Sequence, residues 1–394
     1  MSNLEELIER LCPDGVEYKP LEKCCEILDK KRKPVAKSAR ISGEYPYYGA
    51  NGIQDYVSDY IFDGEFVLVG EDGSVITDKG TPVVTWASGK IWVNNHAHII
   101  SEINGVLLRY IYYYLQTVDV TIFIHGNIPK LTGKDFKSIQ LPVPPLEVQR
   151  EIVRILDNFT FLTTELAAEL AARQKQYEYY KEYLFENHIF DVEWKRLDEL
   201  FPFIRNGFVG TIKSFFTNET DGIRYLEGTN IHDGVISDNE VLYVTKEFHK
   251  KHIKNQLKSD DILMVQSGHI GECAVVGKKY EGSNCHALII MSNGGKCLSK
   301  YYVYYFHTIK GFKSLTPAIT GGTIKHVLAG KVGKIKVPVP SLEQQQRIVD
   351  ILDRFDALCN DISDGLPAEI EARQKQYEYY RDKLLTFKEL KKEA

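Results

Sequence analysis

The sequence predicts an α+β chain: two mixed β-rich globular units separated by a pair of long antiparallel coiled-coil helices, related by a pseudo-two-fold, circular internal repeat. Three observations carry this. The nonapeptide Ala172-Arg173-Gln174-Lys175-Gln176-Tyr177-Glu178-Tyr179-Tyr180 returns unchanged at Ala372 to Tyr380, 200 residues on. A charged word of this length does not recur by chance, and the period is far too long for a solenoid, so whole domains are duplicated with their helices. Apolar and aromatic residues around each copy keep a near-heptad spacing. The stretches between are rich in β-branched and aromatic residues, with Gly/Asn/Asp turns every ~8 to 12 residues.

The boundaries that follow are a first globular unit over 1–145, a first helix over 146–187, a second unit over 188–340 and a second helix over 341–394. The first unit opens at Gly15-Val16-Glu17-Tyr18-Lys19, matched by Asp191-Val192-Glu193-Trp194-Lys195. Runs such as Phe66-Val67-Leu68-Val69, Val83-Val84-Thr85-Trp86 and Ile262-Leu263-Met264-Val265 read as strands of a twisted sheet. Asn95-His96-Ala97 resembles Cys285-His286-Ala287, and Tyr110 to Leu115 resembles Tyr301 to Phe306. Each unit is expected to end near a glycine loop, Gly126-Asn127 in one and Gly321-Gly322 in the other.

Prolines deliver both helices. Leu141-Pro142-Val143-Pro144-Pro145-Leu146-Glu147 corresponds to Val337-Pro338-Val339-Pro340-Ser341-Leu342-Glu343, and proline keeps the chain extended up to the first turn. The first seam reads Phe159, Leu162, Leu166, Leu170, Arg173, Tyr177, Tyr180 and Leu184; the second reads Phe355, Leu358, Ile362, Leu366, Ile370, Arg373, Tyr377, Tyr380, Leu384 and Phe387. Forty helical residues reach roughly 60 Å. The first helix leaves the first unit and enters the second, so pairing along its length requires an antiparallel partner. The second helix is interrupted at Ser363-Asp364-Gly365-Leu366-Pro367, where a restart with Pro367 in the first turn is expected. A circular repeat also requires the C-terminal helix to meet the N-terminal segment.

The 394 residues carry a net charge of −5, which excludes a wholly polycationic surface but not a local basic face. The seven cysteines show no CxxC pair and read as reduced core thiols. No signal-peptide pattern opens the sequence and no apolar run approaches the ~20 residues of a membrane span, so a cytoplasmic location is expected.

Basic residues cluster in both units beside aromatics, a combination suited to phosphates and bases. The first cluster is Lys30, Lys31, Arg32, Lys33, Lys37 and Arg40, followed by Tyr47 and Tyr48; the second is Lys246, Lys250, Lys251 and Lys254, interleaved with His249 and His252. The glycine loops add Asn127 and Lys130, and Thr323 and Lys325. On the helices, Lys175, Glu178, Tyr179, Lys375, Glu378 and Tyr379 lie off the seam and are candidates for contact with a protein partner.

Catalytic signatures are absent. Gly126 to Lys134 has the wrong spacing for a Walker A loop, no dinucleotide fingerprint follows a strand, and Pro144-Pro145 is followed by leucine rather than the aromatic of an amino-methylating motif. His96-x-His98 and His249-x-x-His252 offer no third metal ligand and read as surface histidines.

Two unlike β-rich units, each followed by a helix with the Pro-x-Pro-x-Leu-Glu entry and the Arg-Gln-Lys-Gln-Tyr-Glu-Tyr-Tyr segment, make the whole chain resemble the specificity (S) subunit of type I restriction-modification systems. The resemblance implies that the units are target recognition domains reading a bipartite, asymmetric sequence in double-stranded DNA. It implies a chain that catalyses nothing and binds no metal or cofactor. Two copies of a methyltransferase (M) subunit, which use S-adenosylmethionine to methylate adenine, would dock on it. Restriction/translocase (R) subunits using ATP and Mg would join for cleavage. The alternatives are a coiled-coil adaptor between proteins, and a specificity subunit of a methylation-only or fused restriction system.

Overall fold

The computed structural model describes residues 2–73, 75–124, 129–187, 192–322, 325–361 and 364–390. Six helices organise it: α1 (Ser2–Leu11), α2 (Leu108–Leu115), α3 (Leu146–Asn187), α4 (Ser299–Phe306), α5 (Leu342–Asn360) and α6 (Leu366–Leu384). Two compact units result, Met1–Ala167 with Glu369–Ala394, and Ala168–Ala368. Helix α3 thus gives its first half to one unit and its second half to the other.

In the first unit a six-stranded sheet runs in the order Glu26–Ile27, Ala97–Ser101, Phe62–Gly70, Val84–Val93, Ser42–Gly49, Gly52–Val57. The central strand Phe62–Gly70 is buried on both faces from Phe66 onward, and its two-residue period sorts its side chains. Val67 and Val69 enter a core with α2 and the start of α3, whereas Phe66 and Leu68 join Tyr48, Ile91 and Val93 on the opposite face. The circular closure lies in this unit: Val16 N–H donates to Lys388 O at 2.9 Å and Leu390 N–H to Val16 O at 2.8 Å. Gly15, at φ +109°, is required there, since a Cβ would stand 2.5 Å from Lys388 O.

The second unit repeats the principle with different sheets, Phe203–Asn206, Leu288–Ser292, Ile262–Val265, Cys273–Val275 in one and Phe216–Thr217, Leu242–Thr245, Gly222–Leu226, Asn284–Cys285 in the other. Ile262 and Met264 face the core with α4 and α5, while Leu263 and Val265 face the other side.

The frame beneath the sheets is duplicated in its main hydrogen bonds. Tyr18–Pro20 pairs antiparallel with Gln140–Pro142, as Glu193–Arg196 does with Lys336–Val339. Gln149, fully buried, accepts from Leu107 N–H at 2.9 Å and donates to Pro144 O at 2.8 Å; Gln345 accepts from Leu298 N–H at 2.8 Å and donates to Pro340 O at 2.9 Å. Each glutamine latches the first turn of a long helix to the start of a tyrosine-rich helix. A second clamp sits two turns on. Asp157 accepts from Tyr113 at 2.5 Å and from Arg109 at 2.8 Å, and Asp353 accepts from Tyr304 at 2.5 Å beside Lys300 at 3.2 Å.

Helix pairing follows aromatic contacts. In the first unit Phe159 stacks on Tyr380, ring centroids 5.5 Å apart. In the second, Phe355 packs on Tyr177 and Tyr180, and Cys359 faces Arg173, so α3 and α5 run antiparallel. Among the described residues the seam departs from the predicted one at several places; Ile362 lies outside them. Arg373 is exposed and pairs with Glu369 on its own helix. Leu162 is 50% exposed, and Cys359 rather than Leu358 turns inward. A straight helix drifts by ~20° per heptad, which displaces single positions of a strict repeat. The second helix is two helices, broken after Asn360 and restarted at Leu366 with Pro367 in the first turn. It ends at Leu384, short of the expected bound and of the seam residue Phe387, because the chain beyond it turns to pair with Val16. A Cβ on Gly365 would lie 2.6 Å from the carbonyl oxygens of Ala357 and Asp361, so the break needs glycine.

Candidate nucleic-acid interface

The first basic cluster is a loop pinned onto its sheet. Trp92 Nε1 donates to Lys33 O at 2.7 Å, and the Tyr47 hydroxyl accepts from Val35 N–H at 2.9 Å. Arg40 lies 4.1 Å above the Tyr47 ring and pairs with Asp55 at 3.2 Å. Arg32 pairs with Glu71 at 2.7 Å and donates to Ala97 O at 2.6 Å. These contacts correct four assignments. Tyr47 (1% exposed) and Tyr48 (8%) are core residues, because parallel pairing with Trp92 and Val93 turns them inward. Arg32 and Arg40 are structural cations bound to internal carboxylates, and they hold the loop so that Lys30, Lys31, Lys33 and Lys37 project into solvent. None of these four lysines has an ion-pair partner among the described residues.

Behind the loop lies a buried charged network that the sequence did not announce. His98, 1% exposed, faces Asp29 through Nδ1 at 2.6 Å and Leu131 O through Nε2 at 2.9 Å, and its ring stacks on Phe136. It is therefore a core histidine, not a surface one. Burial works to raise the Asp29 pKa, but the hydrogen bond and charge of His98, the Ile99 N–H and Arg32 outweigh it and hold the carboxyl below its ordinary range. Asp29, Glu71 and His98 bring ligand atoms within 4.8 Å of one another. They do not suit a metal: a carbonyl can only accept, so Nε2 carries a proton, Nδ1 is spent on Asp29, and Arg32 and Lys130 (3.5 Å) already neutralise Glu71. Lys130 is thereby also an internal partner rather than a free cation. His96 pairs with Asp72.

In the second unit the basic residues ride on the helix Lys246–Lys251, capped by Thr245, which accepts from Phe248 N–H at 3.2 Å. Phe248 is buried against Phe208, Phe215 and Tyr225 and anchors the helix. His249 is fixed by Asn284 at 2.7 Å and His252 packs on Phe248, so both histidines are structural. Lys246, Lys250, Lys251 and Lys254 are exposed. Lys325 is exposed on the hairpin Ile319–Thr320/His326–Val327, where His326 Nδ1 meets Ser267 Oγ at 2.5 Å. Asn127 and Thr323 lie outside the described residues. That hairpin touches the loop Ser267-Gly268-His269-Ile270-Gly271, which leaves the central strand Ile262–Val265. Its signal in the sequence was two glycines, both at positive φ, directly after an apolar run. In the first unit the group of Lys90 above Tyr60, at 4.7 Å, with Tyr45 beside it, was also missed.

On the helices, Tyr179 (61% exposed) and Tyr379 (62%) occupy the same place in the two nonapeptides and both face solvent. Lys175 is exposed, Lys375 pairs with Glu371 and Glu178 with Lys181 on their own helices. Glu378 instead pairs with Lys79 at 2.6 Å, which commits it within its own unit. Among the described residues no helix is long and apolar enough to cross a membrane.

The chain's sequence matches the type I restriction modification DNA specificity domain twice, over residues 13–173 and 190–372. A putative type I restriction enzyme specificity subunit of Haemophilus influenzae is 37% identical, covering 98% of this chain and 100% of the relative. The EcoR124I/EcoR124II specificity subunit of Escherichia coli is 34% identical over 72% of each chain. The fold is similar to that of the type I restriction-modification S subunit of M. genitalium, with a TM-score of 0.59, 14% identity and coverage of 94% and 96%. With two matched domains on a duplicated frame, the chain belongs to the specificity subunits of type I restriction-modification systems.

Proposed function

We propose that each unit reads one half of a bipartite, asymmetric DNA target, and that the helices hold the two readers at a fixed spacing while docking two methyltransferase subunits. Restriction/translocase subunits join through these. The observation that supports this best is the contrast between frame and sheets. The glutamine latches and aspartate clamps recur in both units, whereas the sheets above them differ in strand number and order. A common mount with two unlike surfaces suits two unlike half-sequences.

The lysines of the first unit's loop and those on and just after the helix Lys246–Lys251 of the second supply phosphate neutralisation, which is insensitive to sequence, and polar groups around the glycine loops supply base contacts. No chemical step falls to this chain. S-adenosylmethionine, ATP and Mg belong to the partner subunits in this reading. The exposed tyrosines Tyr179 and Tyr379, with Lys175 and Lys375, offer matched contacts for two copies of one partner.

The test is selection from a random duplex library with the chain co-purified with its methyltransferase subunit. Two short, unlike blocks separated by a fixed degenerate gap are expected. Salt-sensitive retention without an enriched motif, or no retention by a folded complex, refutes the reading; the latter would favour a protein adaptor.

A further inference from the structure

In the first unit α1 covers the beginning of α3. Arg10 pairs with Glu147 at 3.4 Å, Leu4 shares the core with Val148 and Ile152, and Leu7, Ile8 and Leu11 pack against it. The second unit repeats the covered surface but not the cover. Val148, Glu151, Ile152 and Ile155 become Gln344, Arg347, Ile348 and Ile351, and Val16 becomes Val192. What precedes Val192 in the chain is α3 itself, whose Leu184 matches Leu384 of α6, so α1 has no counterpart. At this place the second unit carries a pocket of about 110 Å³, lined by Leu184, Val192, Gln344, Arg347, Ile348 and Ile351 among others.

We propose that this pocket docks a short, acidic, leucine-rich amphipathic helix of a partner protein, with one aliphatic side chain in the pocket and a carboxylate on Arg347. Three observations carry it. The pocket occupies the surface that the same chain covers with such a helix in its other half. Its volume is that of a small hydrocarbon group; cavities of ~150 Å³ accept benzene. Its charge has changed sign, since Arg347 stands where the first unit has Glu151, and among the described residues Arg347 has no ion-pair partner. Helix α1 supplies the chemistry of the occupant, with Leu4, Leu7, Ile8 and Leu11 on one face and Glu5, Glu6 and Glu9 available for the cation. Reading an apolar stripe of one helix in a groove of another element is a common mode of recognition. The inference stands on the internal repeat and is independent of the DNA-reading proposal.

The experiment titrates a helix-stapled peptide of residues 2–11, labelled with a fluorophore, against the full chain and follows anisotropy. Saturable binding is expected, weakened at least about five-fold by the exposed substitution Arg347→Glu and abolished by Ile351→Arg. A peptide with Glu5, Glu6 and Glu9 replaced by lysine should prefer the Arg347→Glu chain over the natural one. Absence of binding overturns the proposal. So does binding unchanged by both substitutions, which would mean displacement of α1 in the first unit. Concentration-dependent dimers of the free chain that Arg347→Glu dissolves would assign the pocket to a second copy and overturn the partner assignment.

Discussion

Truncating Gln149 tests whether the duplicated latch holds the frame. The side chain is fully buried and makes three hydrogen bonds, accepting from Leu107 N–H at 2.9 Å and donating to Pro144 O at 2.8 Å and Gly105 O at 3.0 Å. Gln149→Ala leaves one donor and two acceptors without partners, each costing about 1–3 kcal/mol when water does not replace it. A loss of about 3–5 kcal/mol follows, since the groups relax together. Gln345→Ala removes two such bonds, to Leu298 and Pro340, and should cost less, about 2–4 kcal/mol. Gln149→Glu keeps the shape but aims a carboxylate at two carbonyls, so its folded-state pKa must rise. Stability from a raised acid is present below the unfolded pKa of ~4.3 and lost as pH rises, so this variant should be weakest near neutrality and recover on acidification. Native-state hydrogen exchange reads each unit separately, through the amides of α2 and α4. Faster exchange in α2 alone for the Gln149 variants, and in α4 alone for Gln345→Ala, is the expected result. A loss below ~1 kcal/mol in Gln149→Ala would refute the reasoning, because water or neighbouring groups would then satisfy the freed backbone.

Inserting four residues between Leu166 and Leu170, within the uninterrupted helix α3, lengthens it by roughly 6 Å and should select a spacer one or two base pairs longer; an unchanged spacer preference removes the ruler. Replacing Lys30, Lys31, Lys33 and Lys37 by alanine should weaken DNA binding evenly across sequences and flatten the salt slope by up to ~0.9 for each phosphate no longer neutralised; a changed sequence preference would make them base readers. Asp29→Asn should destabilise the first unit, measured by urea unfolding. In the natural chain the depressed Asp29 carboxyl contributes stability above its ordinary value of 3.8, lost as pH falls through the folded pKa, so acid should erase the difference between the two chains. A difference that persists in acid would place the effect in packing.

What was legible in the sequence was what is local or repeated. The nonapeptides, the proline entries and Gly365-Leu366-Pro367 fixed the helices and their break, because proline and glycine act on the backbone where they stand. The circular repeat required the C-terminal helix to meet the N-terminal segment; the backbone bonds that close the circle, Val16 with Lys388 and Leu390, are made by the chain just past that helix. The candidate site was less legible, since burial there depends on partners distant in sequence. Tyr47 and Tyr48 look like surface aromatics beside a basic run, and only their pairing with the strand Val84–Val93 buries them. His98 became a core residue through Asp29 and Leu131, which lie 69 and 33 positions away. Arg32 and Arg40 share the composition of their lysine neighbours but differ in geometry. A planar guanidinium holds a carboxylate and a carbonyl or an aromatic face at once, whereas an ammonium is a point charge more readily left in water.

The division of each central strand between two cores explains how one frame can carry two different surfaces. Alternate residues face opposite sides, so Val67 and Val69 belong with the latch and clamp, while Phe66 and Leu68 belong with the sheet that supports the basic loop. The second unit divides Ile262 and Met264 from Leu263 and Val265 in the same way. Substitutions in separate clusters without shared partners are close to additive. The outer core can therefore be repacked, and strands added or reordered on that face, with little effect on the hydrogen bonds of Gln149, Gln345, Asp157 and Asp353. Coupling passes mainly through the strand backbone, whose ladder tolerates side-chain change on either face. A chain built this way can vary the outer surface of one unit without disturbing its helices or the other unit, and that independence is what the proposed reading of two unlike half-sequences requires.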